Sequence, residues 1–224
     1  MAIVGLLAVL TGFAKTFIIP AVTHTFSAPF IIHVHGAFAS AWILLFLTQT
    51  FLIHFHRYNV HRVLGYSGIF IAAGVVLTMV PAGLVEVNKN LAIGFGDSAY
   101  SSILGVITSG ILFFSFMLAG ILKRTSPETH KRLLLLATIV VLWPAWFRFR
   151  HYFPSVPHPE IWFALVLADS LIVVAWIWDK MRNGVIHPSL KYGGLFIILE
   201  QSFEVMVYDS PWWRQAAIWI YDFL

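Results

Sequence analysis

The chain has 224 residues, 59% of them hydrophobic and only 11% charged, with a formal net charge of +4. That balance excludes an ordinary soluble domain, and it makes the small positive charge a question of placement rather than a nucleic-acid footprint. The absence of cysteine excludes disulfide frameworks, thiolate-held iron–sulfur or zinc sites, covalent c-type haem and thiol nucleophiles, so any metal or haem must be held by histidine, carboxylate or methionine.

A helix needs roughly 20 apolar residues to cross the hydrocarbon core, because every backbone polar group there must be satisfied within the segment. Seven stretches meet that length approximately: 2–20, 31–53, 63–85, 100–122, 132–150, 160–178 and 193–208. Little remains for a soluble domain or linker, so the reading is one all-α integral membrane bundle of seven transmembrane helices over 1–224. The first stretch begins Met1-Ala2-Ile3-Val4 with no basic leader and no small-residue cleavage site. It reads as a retained helix ended by Pro20, with Lys15 three-quarters of the way along.

In the second stretch His35, Trp42, Gln49 and His56 recur every seven residues, which places them in one slowly drifting stripe on a helix. The stripe is either an interhelical seam, with Gln49 bonded to a neighbour and the histidines at wet interfaces, or the lining of a proton or electron path. His33/His35 and His54/His56 are each spaced by two, so neither pair converges on one ligand. Gly36-xxx-Ser40, Gly65-xx-Gly68 and Gly105-xxx-Ser109 are small-residue pairs that let helices approach.

The fifth stretch opens at Ser126-Pro127-Glu128, a capping residue, a first-turn proline and an acid at the positive helix end. His130 then falls in the first turn, Pro144 inside the helix, and Arg148, Arg150 and His151 at its far end. The sixth carries Asp169 between Trp162 and Trp176. The seventh opens at His187-Pro188-Ser189 and carries Glu200 and Glu204 one turn apart. The last segment, 212–224, is too short to span, and its Trp212, Trp213, Trp219 and Tyr221 suit a helix in the interface.

Nine lysines and arginines fall in the loops between helices 2 and 3, 4 and 5, and 6 and 7 (Arg57, Arg62, Lys123, Arg124, Lys131, Arg132, Lys180, Arg182, Lys191), against four on the other side (Lys89, Arg148, Arg150, Arg214). The positive-inside rule puts the amino terminus in the cytoplasm and the carboxyl terminus outside.

Ionisable groups at membrane depth must pair or line a hydrated cavity. Lys15 and Arg148 are expected to balance Glu200 and Glu204 at one internal site in the outer half, beside His35 and His151, with Asp169 protonated; the plain alternative is an ion-pair network that fixes helix packing. A b-type haem needs two histidines on different helices at matched depth. Outside, the candidates are His33 or His35 with His151; inside, His54, His56 or His61 with His130. A non-haem metal centre built from His33, His35, His151, Glu200 and Glu204, with His24 or His158, is the competing reading. No HExxH or repeated histidine box supports it.

The runs His33-x-His35-Gly36, Trp42-x-x-Leu45-Phe46-x-x-Gln49, His61-Arg62-x-Leu64-Gly65 and His130-Lys131-Arg132-Leu133-x-Leu135-x-Ala137, with Arg148 and His187-Pro188, resemble a widespread family of uncharacterised bacterial multi-helix membrane proteins over about 31–208. The HRxLG and HKRL elements are also similar to a domain-of-unknown-function family with a suggested distant relation to b-type cytochrome membrane domains. The resemblance implies a multi-pass protein of the bacterial cytoplasmic (inner) membrane and weight on these positions, but no settled activity. Lys15, Glu200 and Glu204 lie outside its motifs.

Two functional readings follow. The first is a membrane redox protein that binds b-type haem or a quinone through His33, His35, His61, His130, His151 and Gln49 and moves electrons or protons across the bilayer. The second is a non-enzymatic accessory or packing subunit of a larger membrane complex. The expected partners are the lipid bilayer and other membrane subunits, not nucleic acid.

Overall fold

A computed structural model describes all 224 residues and contains helices but no strand. Six helices are long and apolar enough to cross a membrane: α1 (Ala2–Val22), α2 (Phe30–His54), α3 (Tyr58–Ala92), α4 (Gly96–Leu122), α5 (Pro127–His151) and α6 (Glu160–Asn183). The seventh expected span is present as α7 (Pro188–Val207), but it does not join that set. The reason lies in its composition, since Lys191, Glu200 and Glu204 put three charged side chains into one 20-residue helix. A short helix α8 (Pro211–Phe223) follows, started by Ser210, whose hydroxyl accepts from the Trp213 N–H.

Sequence expectation and structure agree on the order of the helices, but six rather than seven are long and apolar enough to span, and their ends differ. The helix expected at 63–85 runs instead from Tyr58 to Ala92 with Pro81 inside it. Two helices contain π-helical turns, Ala14–Ile18 in α1 and Glu160–Leu167 in α6. Such turns widen the helix and leave backbone groups less regularly paired. They surround Lys15 and immediately precede Asp169.

Helix α5 is the centre of the bundle and touches α1, α2, α4, α6 and α7. Its Leu136, Ile139, Val140 and Leu142 are essentially inaccessible. At Gly12 of α1 an added Cβ would overlap the Ala145 carbonyl of α5, so glycine is what lets these two backbones touch. On α2, Trp42 meets Phe113 edge-on at 5.0 Å and donates its indole N–H to the Thr138 hydroxyl of α5 at 3.2 Å.

The other polar tie on α5 is Arg132. Counted among the loop cations in the sequence, it is buried, with only 5% of its surface exposed. Its guanidinium grips both carboxylate oxygens of Asp179 on α6, with Nε donating to Oδ2 at 3.1 Å and Nη2 to Oδ1. Asp179 also accepts the His187 backbone N–H at 2.8 Å and the Asn183 side-chain amide at 2.7 Å. One carboxylate thus holds α5, the end of α6 and the start of α7 together, with every lone pair used.

Arg132→Ala should therefore destabilise the protein by about 3–5 kcal/mol, since it leaves Asp179 buried and unpaired. Lys131→Ala breaks only an exposed pair with Glu128 and should cost less than about 1 kcal/mol. Thermal unfolding of the two variants in detergent micelles checks the contrast; equal melting temperatures would contradict it.

Candidate functional site

The α2 stripe points into the bundle over three of its four residues. The Thr78 hydroxyl donates to the Gly74 carbonyl at 2.6 Å, so His35 Nδ1, 2.9 Å away, donates to Thr78. Trp42 reaches α5 as above, and Gln49 Nε2 donates to the His61 carbonyl of α3 at 3.0 Å. His56 does not continue the stripe. It lies beyond the helix end with φ 58°, while the next residue's N–H reaches back to the Leu52 carbonyl at 2.7 Å. This is a left-handed helix stop of the kind glycine usually provides, and it sets the histidine's direction.

At the end of the bundle formed by the α2–α3, α4–α5 and α6–α7 connections, the structure brings His61 and His130 together. Their rings lie edge to face with centroids 6.4 Å apart. His130 Nδ1 donates to the Gly120 carbonyl of α4 at 2.8 Å, which leaves Nε2 of the neutral ring as an acceptor. His61 Nδ1 and Gln49 Oε1 are both buried without a hydrogen-bond partner. Buried polar atoms are normally satisfied, so this pair marks a place where something polar belongs. Beside it lies an open hollow of about 500 Å³ lined by Thr48, Phe51, Leu52, Phe55 and Arg57. The Phe51 and Phe55 rings stack 6.3 Å apart, and the His61 N–H donates to the Arg57 carbonyl at 3.0 Å. The histidine pair and the hollow therefore share the α2–α3 turn.

The histidines expected at the other end do not form a pair. His35 is held by Thr78, His33 is exposed against Phe26 and Phe17, and the exposed His151 contributes its carbonyl, which accepts from Lys15 Nζ at 3.0 Å. Among the inner candidates, His54 packs on Phe55 and His56 on Tyr58. No three histidine or acidic side chains converge as a metal-ligand set, so His33, His35, His151, Glu200 and Glu204 are not gathered at one point. Of the expected haem pairs, His61 and His130 are the ones whose rings approach each other.

The outer charges separate instead of pairing. Lys15 lies 4.3 Å over the Tyr152 ring and Arg148 4.1 Å over the Phe13 ring, and Arg148 also donates to the Pro144 carbonyl at 2.8 Å. Neither forms an ion pair with Glu200 or Glu204; carbonyls and aromatic faces satisfy the cations locally. The carboxylate in electrostatic range of Arg148 and Arg150 is Glu86 of α3, which the sequence pattern did not single out.

The acid Glu204 is held against α4 instead. Glu204 fits against α4 because Gly105 has no side chain: an added Cβ would lie 2.5 Å from its Oε1. One turn on, the Thr108 hydroxyl donates to Glu204 Oε2 at 3.1 Å. Gly105 was read as a helix–helix contact; it is a carboxylate cradle. Gly36, from the same class of motif, has nothing within 4 Å of an added Cβ.

Comparison with family models, curated proteins and solved structures finds no match to this chain.

Gly105→Val should displace the Glu204 carboxyl and cost about 1–3 kcal/mol, part of it recovered by adding Glu204→Ala. Gly36→Ala should change stability by less than about 0.5 kcal/mol. Melting temperatures of the three variants are the measurement; a Gly105→Val protein as stable as the wild type would remove the cradle.

Proposed function

We propose that this chain is a redox protein of the bacterial cytoplasmic membrane that binds a quinone at the end bearing His61 and His130 and couples electron transfer to proton movement. The approach of His61 to His130 beside two orphaned polar atoms, sharing one turn with an open aromatic hollow, is the observation that supports it. A quinone head needs an apolar face to lie on and donors for its carbonyl oxygens. Phe51 and Phe55 offer the first; Arg57 offers the second. His61 and His130 supply imidazole rings, whose two nitrogens can accept and release a proton at different atoms. Their separation suits a proton handed from one ring to the other through a water or a substrate oxygen.

In this reading α7 is the seventh crossing. It satisfies the bilayer by turning Gln201 and Glu204 inward, both buried, while Leu195, Phe196, Leu199, Phe203 and Met206 face outward. The amino terminus is cytoplasmic, the quinone end lies on the cytoplasmic side with most of the loop lysines and arginines, and α8 lies in the outer interface. The chain then belongs with the bacterial multi-helix proteins that its HRxLG and HKRL runs resemble, since those runs provide His61, His130 and Arg132. The second reading, an accessory subunit of a membrane complex, is favoured by the same aromatic outer stripe of α7, continued by Trp212, Trp219 and Phe223 on α8.

Purification in mild detergent followed by organic extraction should yield about one quinone per chain, and His130→Ala with Arg57→Ala should lose it. A Soret band in the oxidised and dithionite-reduced spectra would replace the quinone by haem. Neither a quinone nor a Soret band, with a discrete set of copurifying subunits, would transfer the assignment to the accessory reading.

A further inference from the structure

Asp169 is the most isolated charge-bearing group in the bundle. It is 5% exposed, and neither carboxyl oxygen has a hydrogen-bond partner. It stands in α6 immediately after the π-helical turns. Across from it on α7, Glu200 is within electrostatic range of both Asp169 and Glu204. Antiparallel packing sets this register: Trp176 donates to the Leu190 carbonyl at 2.8 Å, and an added Cβ at Gly194 would meet Ile172 and Trp176. The α7 face that continues from Gly194 through Ile197 reaches Gln201 beside the start of α6. Gln201 is 5% exposed, and its Oε1 has no partner either. From α4, only Thr108 reaches the cluster, through Glu204.

No cation neutralises these acids. Lys15 is held by the His151 carbonyl, Arg148 by the Pro144 carbonyl, and no ion pair involves Asp169, Glu200 or Glu204. Coordination does not do so either, since the three carboxylates do not converge as a metal-ligand set. An unpaired ionised carboxylate in hydrocarbon costs several kcal/mol, whereas the neutral acid costs much less and turns one oxygen into a donor. A donor is what the orphaned Gln201 Oε1 lacks.

We propose that Asp169, Glu200 and Glu204, with Gln201 as acceptor and Thr108 as donor, form a proton-binding site in the outer half of the bundle. The ligand is a proton taken from water by a carboxylate oxygen and returned by the same bond breaking. Access runs along the end of α7, where Tyr208 is within electrostatic range of Glu204, Arg150, Glu86 and Asp209. Those groups and Arg148 are the charged and titratable neighbours that α3, α5 and the α7–α8 turn bring to this end. The site lies away from the His61–His130 pair and does not rest on the quinone reading.

Infrared spectra of the full-length protein in maltoside micelles test it. At neutral pH, where exposed carboxylates are ionised, the wild type should show the carbonyl-stretch band of a protonated carboxylic acid that shifts in D2O. Asp169→Asn, which mimics the neutral acid, should remove at least half of that band and leave the melting temperature within a few degrees of the wild type. Glu204→Gln should remove a further part. A wild type with no such band, a band untouched by both substitutions, or a band abolished by added sodium at constant pH would each overturn the proposal. Because Asp169→Asn is isosteric with the proposed state, failure of that variant to fold would also count against it. Loss of bound quinone in the same variant would bear on the other site, not on this one.

Discussion

Hydrocarbon leaves a polar group only the protein to bond with, and α5 is where this chain meets that constraint. The helix lies against five others, so it can distribute polar ties that a peripheral helix could not. Arg132 anchors one end through Asp179. Thr138 receives Trp42 near the middle. Pro144 and His151 offer their carbonyls to Arg148 and Lys15 near the other end. Between these ties the surface is Leu, Ile, Val and Ala at essentially zero exposure. Small residues on the neighbours, Gly12 above all, bring the backbones close enough for dispersion contacts to act where no hydrophobic driving force exists between helices.

The two ends of the bundle handle ionisable groups differently. At the end bearing His61 and His130 a charge is buried together with its counter-charge, and each remaining lone pair is used, which fixes geometry. Two imidazoles stand at the same end, one anchored through Nδ1 and the other left unpaired at the same atom. At the opposite end the cations Lys15 and Arg148 form no ion pair with the acids Glu200 and Glu204. The cations are satisfied by carbonyls and ring faces, and the acids are left among themselves. Fixed, fully paired charges give rigidity; unpaired ionisable ones give sites that can change protonation state. The π-helical turns next to Lys15 and Asp169 lie in this outer half, where backbone regularity is already relaxed.

Outward-facing surface follows the same logic. Large apolar side chains such as Phe70, Leu77, Phe196 and Met206 are exposed, as lipid contact requires, while α7 keeps its acids inside. A helix can therefore carry three charges and still stand in the bundle, provided its neighbours supply a Gly105-shaped recess and a Thr108 hydroxyl.

Composition, run length and the local Ser126-Pro127 and His187-Pro188 signals determined the all-α class, the positions of the apolar helices and where two of them start, because these depend on local chemistry and the thickness of a bilayer. His61 with His130 was among the histidine pairs the pattern offered. Which pair forms was not legible, since it depends on how α3 and α5 lie across from one another. Depth along a helix, the one coordinate the sequence supplies for a charge, put Lys15, Arg148, Glu200 and Glu204 at one level. It said nothing of azimuth, and in the packed bundle Lys15 and Arg148 meet carbonyls and ring faces while Glu204 meets Gly105 and Thr108. The same missing coordinate hid the Arg132–Asp179 pair and the role of Gly105, each of which exists only when two helices far apart in the chain are packed face to face.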